Sequence, residues 1–455
     1  MFHAELYQNR RRRLAQSLAN QGLILLLGNG ESSFNYTDNT YPFRQDSSFL
    51  YFCGIDRPDM ALVIDTASGQ STLYADDLSL DYQVWMGVQP ATAEWAHKAG
   101  VEKWAPYDQL AADLAKAGQI LYLPPYRAEN QVKLAAFTGR EYAAVPAGVS
   151  EALIRQVVAL RARKDAFEIE EMERAVDTSV RMHRLARQLC RPGATEQEIA
   201  GAVEGMAIAE GGRLSYQAII SINGHILHNH HYDNTLQEGQ LLLIDAGAET
   251  ARRYAGDLTR TFPVADKLTT AQRDIYNIVL QSQVEAINSL KPGIPYRDVH
   301  LQAALTIAKG LTELGLMQGD PQEAAAAGAH ALFFPHGLGH MIGLDVHDME
   351  DLGENYVGYS EAYARSTQFG LRSLRLARPL EPGFVLTVEP GIYFIPILID
   401  RWKAEAMHKD FIRYDRLDAW RSFGGIRIED NVHITESGHK VLGDPLIKTA
   451  DEIMR

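Results

Sequence analysis

A short motif occurs twice in the chain, one hundred residues apart, and this repeat constrains the fold more than any other feature. Residues 191–199 read RPGATEQEI and residues 291–299 read KPGIPYRDV. Each copy follows a helix-like segment, ends it with Pro-Gly and begins another helix, for which Thr195 and Glu198 supply a capping box in the first copy. We expect the second helices to end at Gly211 and Gly315 and strands to follow. The pattern predicts a duplicated unit, although Pro-Gly after a helix is common and coincidence stays open.

The length of 455 residues allows two or three domains. Residues 20–150 alternate short apolar runs with helical segments, which is typical of an α/β domain. From about residue 155 to 190 the sequence predicts a long charged helix, acidic early and basic late, as the helix dipole favours. We therefore predict an N-terminal α/β domain at 1–155 and a second domain at 156–455.

Composition excludes several classes of protein. The 44 basic and 58 acidic side chains give a net charge of −14, which argues against a nucleic-acid partner. The apolar run 23–27 is far shorter than the roughly 20 residues of a membrane span, and no signal peptide is visible. Two cysteines suit a reducing compartment, so we expect a cytoplasmic protein without a membrane partner. The arginines at 10–13 could form a basic recognition patch, but we expect them to be the solvated face of a first helix.

Two acidic residues lie at the ends of neighbouring apolar strands. Residues 241–247 read LLLIDAG, and residues 254–262 read YAGDLTRTF. The segments predict a hairpin in which Asp245 and Asp257 meet, an arrangement that costs repulsion unless a cation lies between them. Two solvated carboxylates at strand ends are the alternative interpretation.

The second half of the chain repeats this pattern. Residues 384–393 read FVLTVEPGIY, with a strand broken at Pro390 just after Glu389. Residues 425–431 read GIRIEDN, and alternation places Arg427 and Glu429 on one face. Four acids at the ends of apolar strands, two in each half, are hard to explain as surface residues.

Histidines are concentrated in two segments. Residues 335–348 read PHGLGHMIGLDVHD and contain His336, His340 and His347. Two glycines between the first two histidines make a helix improbable, so we predict a loop. Residues 224–231 read GHILHNHH, from which we select His228 as a candidate. Each histidine taken alone could equally be a packed or exposed residue.

Together these residues and motifs resemble the pita-bread metallopeptidases, a family that includes aminopeptidase P and prolidase. The phrases PHGLGH, GLDVHD, LTVEPGIY and GGIRIED are similar to that family, as are YPFRQDSSFLYFCGI and STLYADDLSLDYQVWMG in the N-terminal part. GLRSLRLARPLEPG at 370–383 resembles prolidase more than aminopeptidase P. The resemblance implies a two-domain α/β fold, with an N-terminal creatinase/prolidase-like domain and a C-terminal pita-bread catalytic domain of α+β structure and pseudo-twofold symmetry.

The resemblance also implies a role for each candidate residue. Asp257 and Glu429 would bridge two metal ions, Asp245 would bind one, and His340 with Glu389 would bind the other. His228 and His347 would stabilise the tetrahedral state, and Glu389 would handle the proton of the attacking water. His336 would line the proline pocket, Arg375 or its rival Arg372 would bind the proline carboxylate, and Arg427 would hold the ligands. The two aspartates are twelve residues apart where the family has eleven, so the turn near Arg252 is expected to absorb one extra residue.

The resemblance implies two divalent metal ions per subunit. Their oxygen-rich ligands favour Mn²⁺, while Zn²⁺, Co²⁺ and Fe²⁺ stay open. The expected function is hydrolysis of Xaa-Pro dipeptides by a hydroxide that bridges the two metals, with a small peptide as the only partner besides a second subunit in a homodimer. Two alternatives stay open: an aminopeptidase P acting on longer Xaa-Pro peptides, and a metal-free pita-bread module that binds other proteins.

Overall fold

The computed structural model describes residues Met1–Met454, which form two compact units. Unit 1 contains Met1–Arg161 and Asp351–Tyr356, and unit 2 contains Ala162–Glu350 and the chain from Val357 onward. The boundary predicted after residue 155 falls inside the last helix of the first segment, and the limits of the domains stay a prediction. Within the described part of the chain, no helix is both long and apolar enough to cross a membrane.

Unit 1 is an α/β structure, as its alternating apolar and helical segments predict. Its strands are β1 Leu23–Leu27, β2 Ser33–Tyr36, β3 Asn39–Thr40, β4 Ala61–Asp65, β5 Ser71–Tyr74, β6 Lys103–Ala105 and β7 Ile120–Tyr122. Its helices are α1 Ala4–Ser17, α2 Ser47–Cys53, α3 Leu80–Met86, α4 Thr92–Ala99, α5 Gln109–Leu114, α6 Ala128–Thr138 and α7 Glu151–Arg161.

A mixed five-stranded sheet is the centre of unit 1. Its strand order is β6-β5-β4-β1-β7, with β1 antiparallel to β4 and parallel to β7. The uninterrupted apolar sequence of β1 fits a central strand covered on both faces. Leu25, Val63, Leu110 and Leu134 are among the side chains of the buried cluster on one face of this sheet.

The arginine run in α1 corrects a prediction made from the sequence. Arg12 and Arg13 are exposed as predicted, whereas Arg10 and Arg11 are only 3% and 2% exposed, so half of the run is buried. The guanidinium of Arg11 donates to the backbone carbonyls of Phe52, Ala99 and Gly100. Arg10 lies over the ring of Tyr51, 3.8 Å from the centroid. Five N–H donors allow arginine to satisfy several buried carbonyls at once, which a count of charges cannot reveal.

Unit 2 contains the repeated elements. Its helices are α8 Ala166–Leu189, α9 Glu196–Ala209, α10 Thr270–Ser289, α11 Tyr296–Glu313, α12 Pro321–Ala327, α14 Pro396–Ala404, α15 Tyr414–Leu417 and α16 Ala450–Ile453, while α13 Glu354–Gly358 begins in the chain segment of unit 1 and ends in that of unit 2. Its strands are β8 Arg213–Leu214, β9 Ile219–Ser221, β10 Leu241–Asp245, β11 Ala248–Glu249, β12 Thr259–Pro263, β13 Val385–Val388, β14 Gly391–Tyr393, β15 Gly425–Arg427, β16 Asp430–Ile434 and β17 His439–Val441.

Unit 2 has two similar halves. The first pairs α8 and α9 with a sheet ordered β12-β10-β9, and the second pairs α10 and α11 with a sheet ordered β13-β16-β17. Both Pro-Gly turns precede a helix, and their glycines, Gly193 and Gly293, have φ of 87° and 86°, a region that favours glycine. The predicted fold class, a pseudo-twofold catalytic domain beside an α/β domain, is confirmed.

Two details differ from the sequence prediction. The long charged segment near residue 155 is two helices, because Asp165 caps the start of α8 through a capping box with Glu168. In the second copy of the repeat, the chain after Gly315 forms the short helix α12 and not a strand. Asp320 and Pro321 explain this outcome, since the aspartate caps the helix and proline suits its first turn.

A buried ion pair joins the start of unit 2 to the loop that carries the histidines. Lys164 Nζ lies 2.7 Å from Asp348 Oδ2, and both side chains are 1% exposed. Asp348 directly follows His347, so this pair fixes one end of the histidine loop. Removing one partner of a buried pair leaves an uncompensated charge in a low-dielectric interior.

Lys164→Met is therefore expected to lower the free energy of unfolding by about 3–5 kcal/mol. Chemical denaturation measured by circular dichroism checks this value. The double variant Lys164→Met/Asp348→Leu serves as the control, because it removes both charges and should recover much of the loss. A double variant as unstable as the single one would show that the charge imbalance is not the cause.

Candidate active site

The five residues inferred as metal ligands line one cavity in unit 2. The cavity has a volume of about 470 Å³. Asp245, Asp257, His340, Glu389 and Glu429 contribute to its wall. The remaining sequence candidates, His228, His336, His347, Arg375 and Arg427, line the same cavity, whereas Arg372 does not. The structure thus brings every selected site residue together except the rival arginine.

Strand pairing explains how the first two carboxylates meet. Strands β10 and β12 pair antiparallel with Asp245 opposite Thr259, so Asp257 lies just beyond the end of the ladder. The predicted hairpin is confirmed. The turn between the strands contains Arg253, which has a φ of 71°. A left-handed residue of this kind tightens a turn without changing the faces of its strands.

Breaks in two strands place the other two carboxylates. Glu389 lies between β13 and β14, where the strand breaks because Pro390 has no N–H to donate to the sheet. The N–H of Glu389 donates to the carbonyl of Leu338. Glu429 lies between β15 and β16, and its N–H donates to the carbonyl of Thr259 at 3.0 Å. That bridge joins the two halves of unit 2, so one acidic pair from each half faces the common cavity.

His340 has one ring nitrogen directed at the acids. Its Nε2 lies 3.4 Å from Asp257 Oδ2 and 3.7 Å from Glu389 Oε1. Its Nδ1 lies 3.0 Å from the carbonyl of Met341, which must accept a hydrogen bond, so Nδ1 carries the proton of the neutral ring. The Nε2 lone pair is therefore available to a metal ion, as in most metal-binding histidines.

The cavity concentrates negative charge. Burial, joined by repulsion from neighbouring carboxylates, raises the pKa of Asp245 and Glu429 and brings the pKa of Glu389 to about 7. Asp257 differs: burial opposes its ionisation, but His340, Tyr216 and His347 together outweigh burial and keep its pKa below the usual value. Arg427 offsets part of the charge through a 2.5 Å ion pair with Asp245 Oδ2.

The donor set fits divalent cations. Oε1 of Glu429 is buried and has no hydrogen-bond partner among residues Met1–Met454, a costly state for a carboxylate oxygen. Asp257, His340 and Glu429 each offer a ligand atom, and these atoms lie within 4.8 Å of one another. Carboxylates and one imidazole suit divalent metal ions, which would also balance the charge.

Arg427 organises one wall of the cavity. Its Nη1 donates to the hydroxyl of Tyr393 at 2.8 Å, and its Nε donates to the hydroxyl of Thr259 at 3.2 Å. The hydroxyl of Tyr393 lies 2.9 Å from His336 Nε2, while His336 Nδ1 lies 2.8 Å from the carbonyl of Gly337. Nδ1 therefore carries the ring proton, and burial together with the charge of Arg427 lowers the pKa of His336 to about 3. His336 is a neutral wall residue.

The cavity wall also carries His347 and Arg375. His347 Nδ1 lies 2.6 Å from Oε2 of Glu350, and Arg375 Nη1 contacts Oε1 of the same carboxylate. The ring of His347 lies 4.1 Å from that of His340, centroid to centroid. Burial lowers the pKa of His347, and the neighbouring His340 and Arg375 act in the same direction. His228 lies on the cavity wall with its ring stacked 6.5 Å from that of His230.

Three contributors to the site escaped the sequence analysis. The hydroxyl of Tyr216 lies 2.5 Å from both Asp245 Oδ1 and Asp257 Oδ1, so it links the first acidic pair. Tyr393 connects Arg427 to His336, and Glu350 connects His347 to Arg375. Tyr393 stands at the end of the quoted LTVEPGIY segment, which could have drawn attention to it. Tyr216 and Glu350 lie in segments without a chemical pattern.

Comparison with known proteins decides the family. The model of metallopeptidase family M24 matches residues 170–436, and the aminopeptidase P N-terminal domain matches residues 7–122. The first match covers more than half of the chain. The chain belongs to metallopeptidase family M24.

Similar proteins carry two kinds of name, Xaa-Pro dipeptidase and Xaa-Pro aminopeptidase. The chain is 33% identical to the Xaa-Pro dipeptidase of Homo sapiens, over 96% of this chain and 90% of the relative. It is 32% identical to a protein of Aspergillus terreus named "Probable Xaa-Pro aminopeptidase", over 97% of this chain and 93% of the relative. These identities support a metallopeptidase that cleaves Xaa-Pro bonds.

Solved M24 structures have the same two-domain fold. Zinc-substituted Escherichia coli aminopeptidase P in complex with product has a TM-score of 0.82 and 30% identity, covering 100% of this chain and 98% of the other. Proline aminopeptidase P II from Yersinia pestis has the same TM-score and identity, and the coverage is 100% and 99%. As an M24 member the chain is a metallopeptidase, and its carboxylate cavity is the candidate site for divalent metal ions.

Proposed function

We propose that the chain hydrolyses the bond before proline in Xaa-Pro peptides, using two divalent metal ions held by Asp245, Asp257, His340, Glu389 and Glu429. The observation that carries the proposal is that these five side chains line one cavity, in which Oε1 of Glu429 has no hydrogen-bond partner within Met1–Met454. The negative charges of the four carboxylates exceed the positive charge of Arg427, and two divalent cations would offset this excess. The oxygen-rich donor set favours Mn²⁺ over ions that prefer thiolates.

Metal ions bound in this cavity would supply Lewis-acid activation of water and of the scissile carbonyl. Glu389 is the carboxylate that we propose to accept the proton of the attacking water, because it lines the cavity and lies 3.7 Å from His340 Nε2. His347 holds its Nδ1 proton on Glu350, which leaves Nε2 as the ring atom for exchange with substrate. His228, on the wall of the same cavity, would stabilise charge that develops in the transition state.

The wall near His336 suits a proline ring. A peptide bond before proline lacks an N–H, so recognition cannot rely on β-strand pairing and needs a shaped pocket. Ile219, Leu227 and Val346 give the cavity apolar surface, and His336 adds a ring that burial keeps neutral. A neutral imidazole and aliphatic side chains are favourable neighbours for an uncharged pyrrolidine ring.

Arg375 supports Xaa-Pro dipeptides as substrates. A dipeptide carries a free carboxylate one residue beyond the scissile bond, and a guanidinium in the cavity wall can bind it through two parallel hydrogen bonds. Longer Xaa-Pro peptides are a second candidate class of substrate, because the ion pair with Glu350 already neutralises Arg375. We therefore propose dipeptidase activity accompanied by activity on longer peptides.

The assay that tests this function compares an Xaa-Pro dipeptide, an Xaa-Pro-Yaa tripeptide and an Xaa-Ala control, each with and without chelator. We expect hydrolysis of both proline peptides, no hydrolysis of the control and loss of all activity on chelation. Restoration by added Mn²⁺ or another divalent ion would complete the test. A protein that binds peptides without cleaving them under every metal condition would instead fit a metal-free binding module.

Arg375→Leu is expected to lower dipeptide kcat/KM by about tenfold to a hundredfold, the scale of a lost charge-assisted hydrogen bond. Tripeptide kcat/KM should change little, because a neutral amide replaces the carboxylate. Arg372→Leu is the matched control, since Arg372 lies over the ring of Phe369 and outside the cavity. Equal dipeptide losses in the two variants would remove Arg375 from carboxylate binding.

Assembly as a homodimer and a cytoplasmic location stay predictions. A second copy would cover exposed apolar side chains of unit 1, of which Leu80, Val84, Trp85 and Val88 are each more than 70% exposed. Light scattering of the purified chain would give its mass and decide the oligomeric state.

A further inference from the structure

Glu350 contacts His347 and Arg375 at once, and only its contact with His347 has a part in the proposed reaction. Its side chain is one-third exposed, and its two carboxylate oxygens serve two different residues of the cavity wall. Oε2 accepts from Nδ1 of His347 at 2.6 Å, and Oε1 pairs with Nη1 of Arg375. One carboxylate therefore joins a histidine near the inferred metal ligands to the cation proposed for the substrate carboxylate.

The backbone turn that places Glu350 beside His347 and Arg375 contains a residue in an unfavourable conformation. Met349 has a φ of 63°, a left-handed conformation that non-glycine residues rarely adopt. The N–H of Glu350 donates to the carbonyl of His347 at 3.3 Å, which closes a tight turn between the two residues. Such a conformation persists only where the surroundings fix it, and it occurs often at functional sites. The position of Glu350 in its ion pair with Arg375 is thus set by a specific backbone turn, unlike that of a flexible surface ion pair.

The charges of this arrangement bear on substrate length. A free substrate carboxylate that binds Arg375 must displace Glu350 or share the guanidinium with it, and two carboxylates around one cation repel each other. A longer peptide has a neutral amide at this position, which neither displaces Glu350 nor is repelled by it. Both side chains of the ion pair are about one-third exposed, and solvent weakens a pair of this kind. A substrate carboxylate can therefore replace Glu350 as the partner of Arg375.

We propose that Glu350 is a specificity-determining residue, which holds Arg375 and so reduces the preference for a free proline carboxylate. The proposal rests on the proposed function for the identity of the substrate. Glu350 opposes dipeptides by competition for Arg375 and leaves longer Xaa-Pro peptides unaffected. Its hydrogen bond to His347 is a separate, positioning contribution, which acts on substrates of every length.

Glu350→Gln separates the two contributions. An amide oxygen can still accept the Nδ1 proton of His347, whereas the negative charge on Arg375 is lost. The ratio of dipeptide to tripeptide kcat/KM is expected to rise at least about tenfold, the scale of one charge-assisted hydrogen bond. Any change in how His347 is held acts on both substrates, so it appears as a common change in kcat and cancels in the ratio.

Two further variants make the test specific. In Glu350→Gln/Arg375→Leu the gain in the ratio should vanish, because the cation that Glu350 competes for is gone. Glu361→Gln, which removes an exposed carboxylate in a neighbouring loop, should leave the ratio unchanged. A ratio that changes less than threefold in Glu350→Gln would overturn the proposal. Equal losses of dipeptide and tripeptide kcat would also overturn it, since they assign Glu350 to His347 alone.

A binding measurement keeps this inference distinct from the proposed function. If the metal-loaded protein cleaves no Xaa-Pro peptide, the proposed function fails, and calorimetry with L-proline and L-prolinamide decides the role of Glu350. Glu350→Gln is then expected to increase the preference for L-proline over L-prolinamide at least about tenfold, because the two probes differ by a carboxylate charge. An unchanged preference would overturn the proposal regardless of turnover.

Discussion

Asp257→Asn and Glu429→Gln are each expected to abolish Xaa-Pro hydrolysis. An amide has one acceptor oxygen where a carboxylate has two, so neither replacement can bridge two metal ions, and each removes one negative charge from the site. Asp257 contacts His340, and Glu429 bonds through Oε2 to the hydroxyl of Thr259 at 2.7 Å while Oε1 remains for a metal. We therefore expect metal content to fall together with turnover.

Metal analysis by mass spectrometry and a proline-release assay on the same preparation check this prediction. Asp400→Asn is a suitable control, because it removes an exposed carboxylate that pairs with Arg421 on the surface. Circular dichroism of the metal-free variants separates this loss from unfolding, and Glu429→Gln should be at least as stable as the metal-free parent because it relieves repulsion among buried acids. A bridging variant that keeps both its metal and its turnover would contradict the assignment.

His347→Ala and His228→Ala are expected to lower kcat by about a hundredfold or more, the range for a lost transition-state donor or proton carrier. Metal content should stay near normal, because neither histidine belongs to the five inferred ligands. His347 lies next to one of those ligands, since its ring is 4.1 Å from that of His340. It also has a fixed tautomer through Glu350, so we expect the larger loss at this position.

Steady-state kinetics with metal-saturated protein check the two histidine variants, and His97→Ala, a change at an exposed position of α4, is the control. Loss of bound metal in either site variant would show that the residue acts as a ligand. A fall in kcat/KM that came from KM alone would assign the histidine to substrate binding.

The sequence predicts which acidic residues line the cavity, because the ends of strands and the alternation of side chains along them determine the face on which each residue lies. Asp245 and Asp257 follow from a hairpin whose register has no freedom once its apolar residues are buried. Arg427 and Glu429 follow from the period of two along a strand, and the break at Pro390 places Glu389. These are local rules, so a single sequence is sufficient to apply them.

Residues that join distant segments could not be predicted. Tyr216 reaches both aspartates from a segment before β9, and Glu350 reaches Arg375 across 25 positions of the chain. Their roles depend on tertiary packing and on the left-handed turn at Met349, neither of which leaves a periodic pattern. The buried arginines of α1 are a similar case. Their partners are backbone carbonyls. Every residue has such a carbonyl, so the sequence does not indicate which ones an arginine will contact.

Metal titration into chelator-treated protein tests the central claim most directly. Divalent metal is added in steps, and bound metal and Xaa-Pro dipeptide turnover are measured on each sample. The account predicts that turnover is absent without metal, appears as metal binds, and reaches its maximum when about two ions are bound per chain. Full turnover in a preparation shown to contain no metal would contradict it.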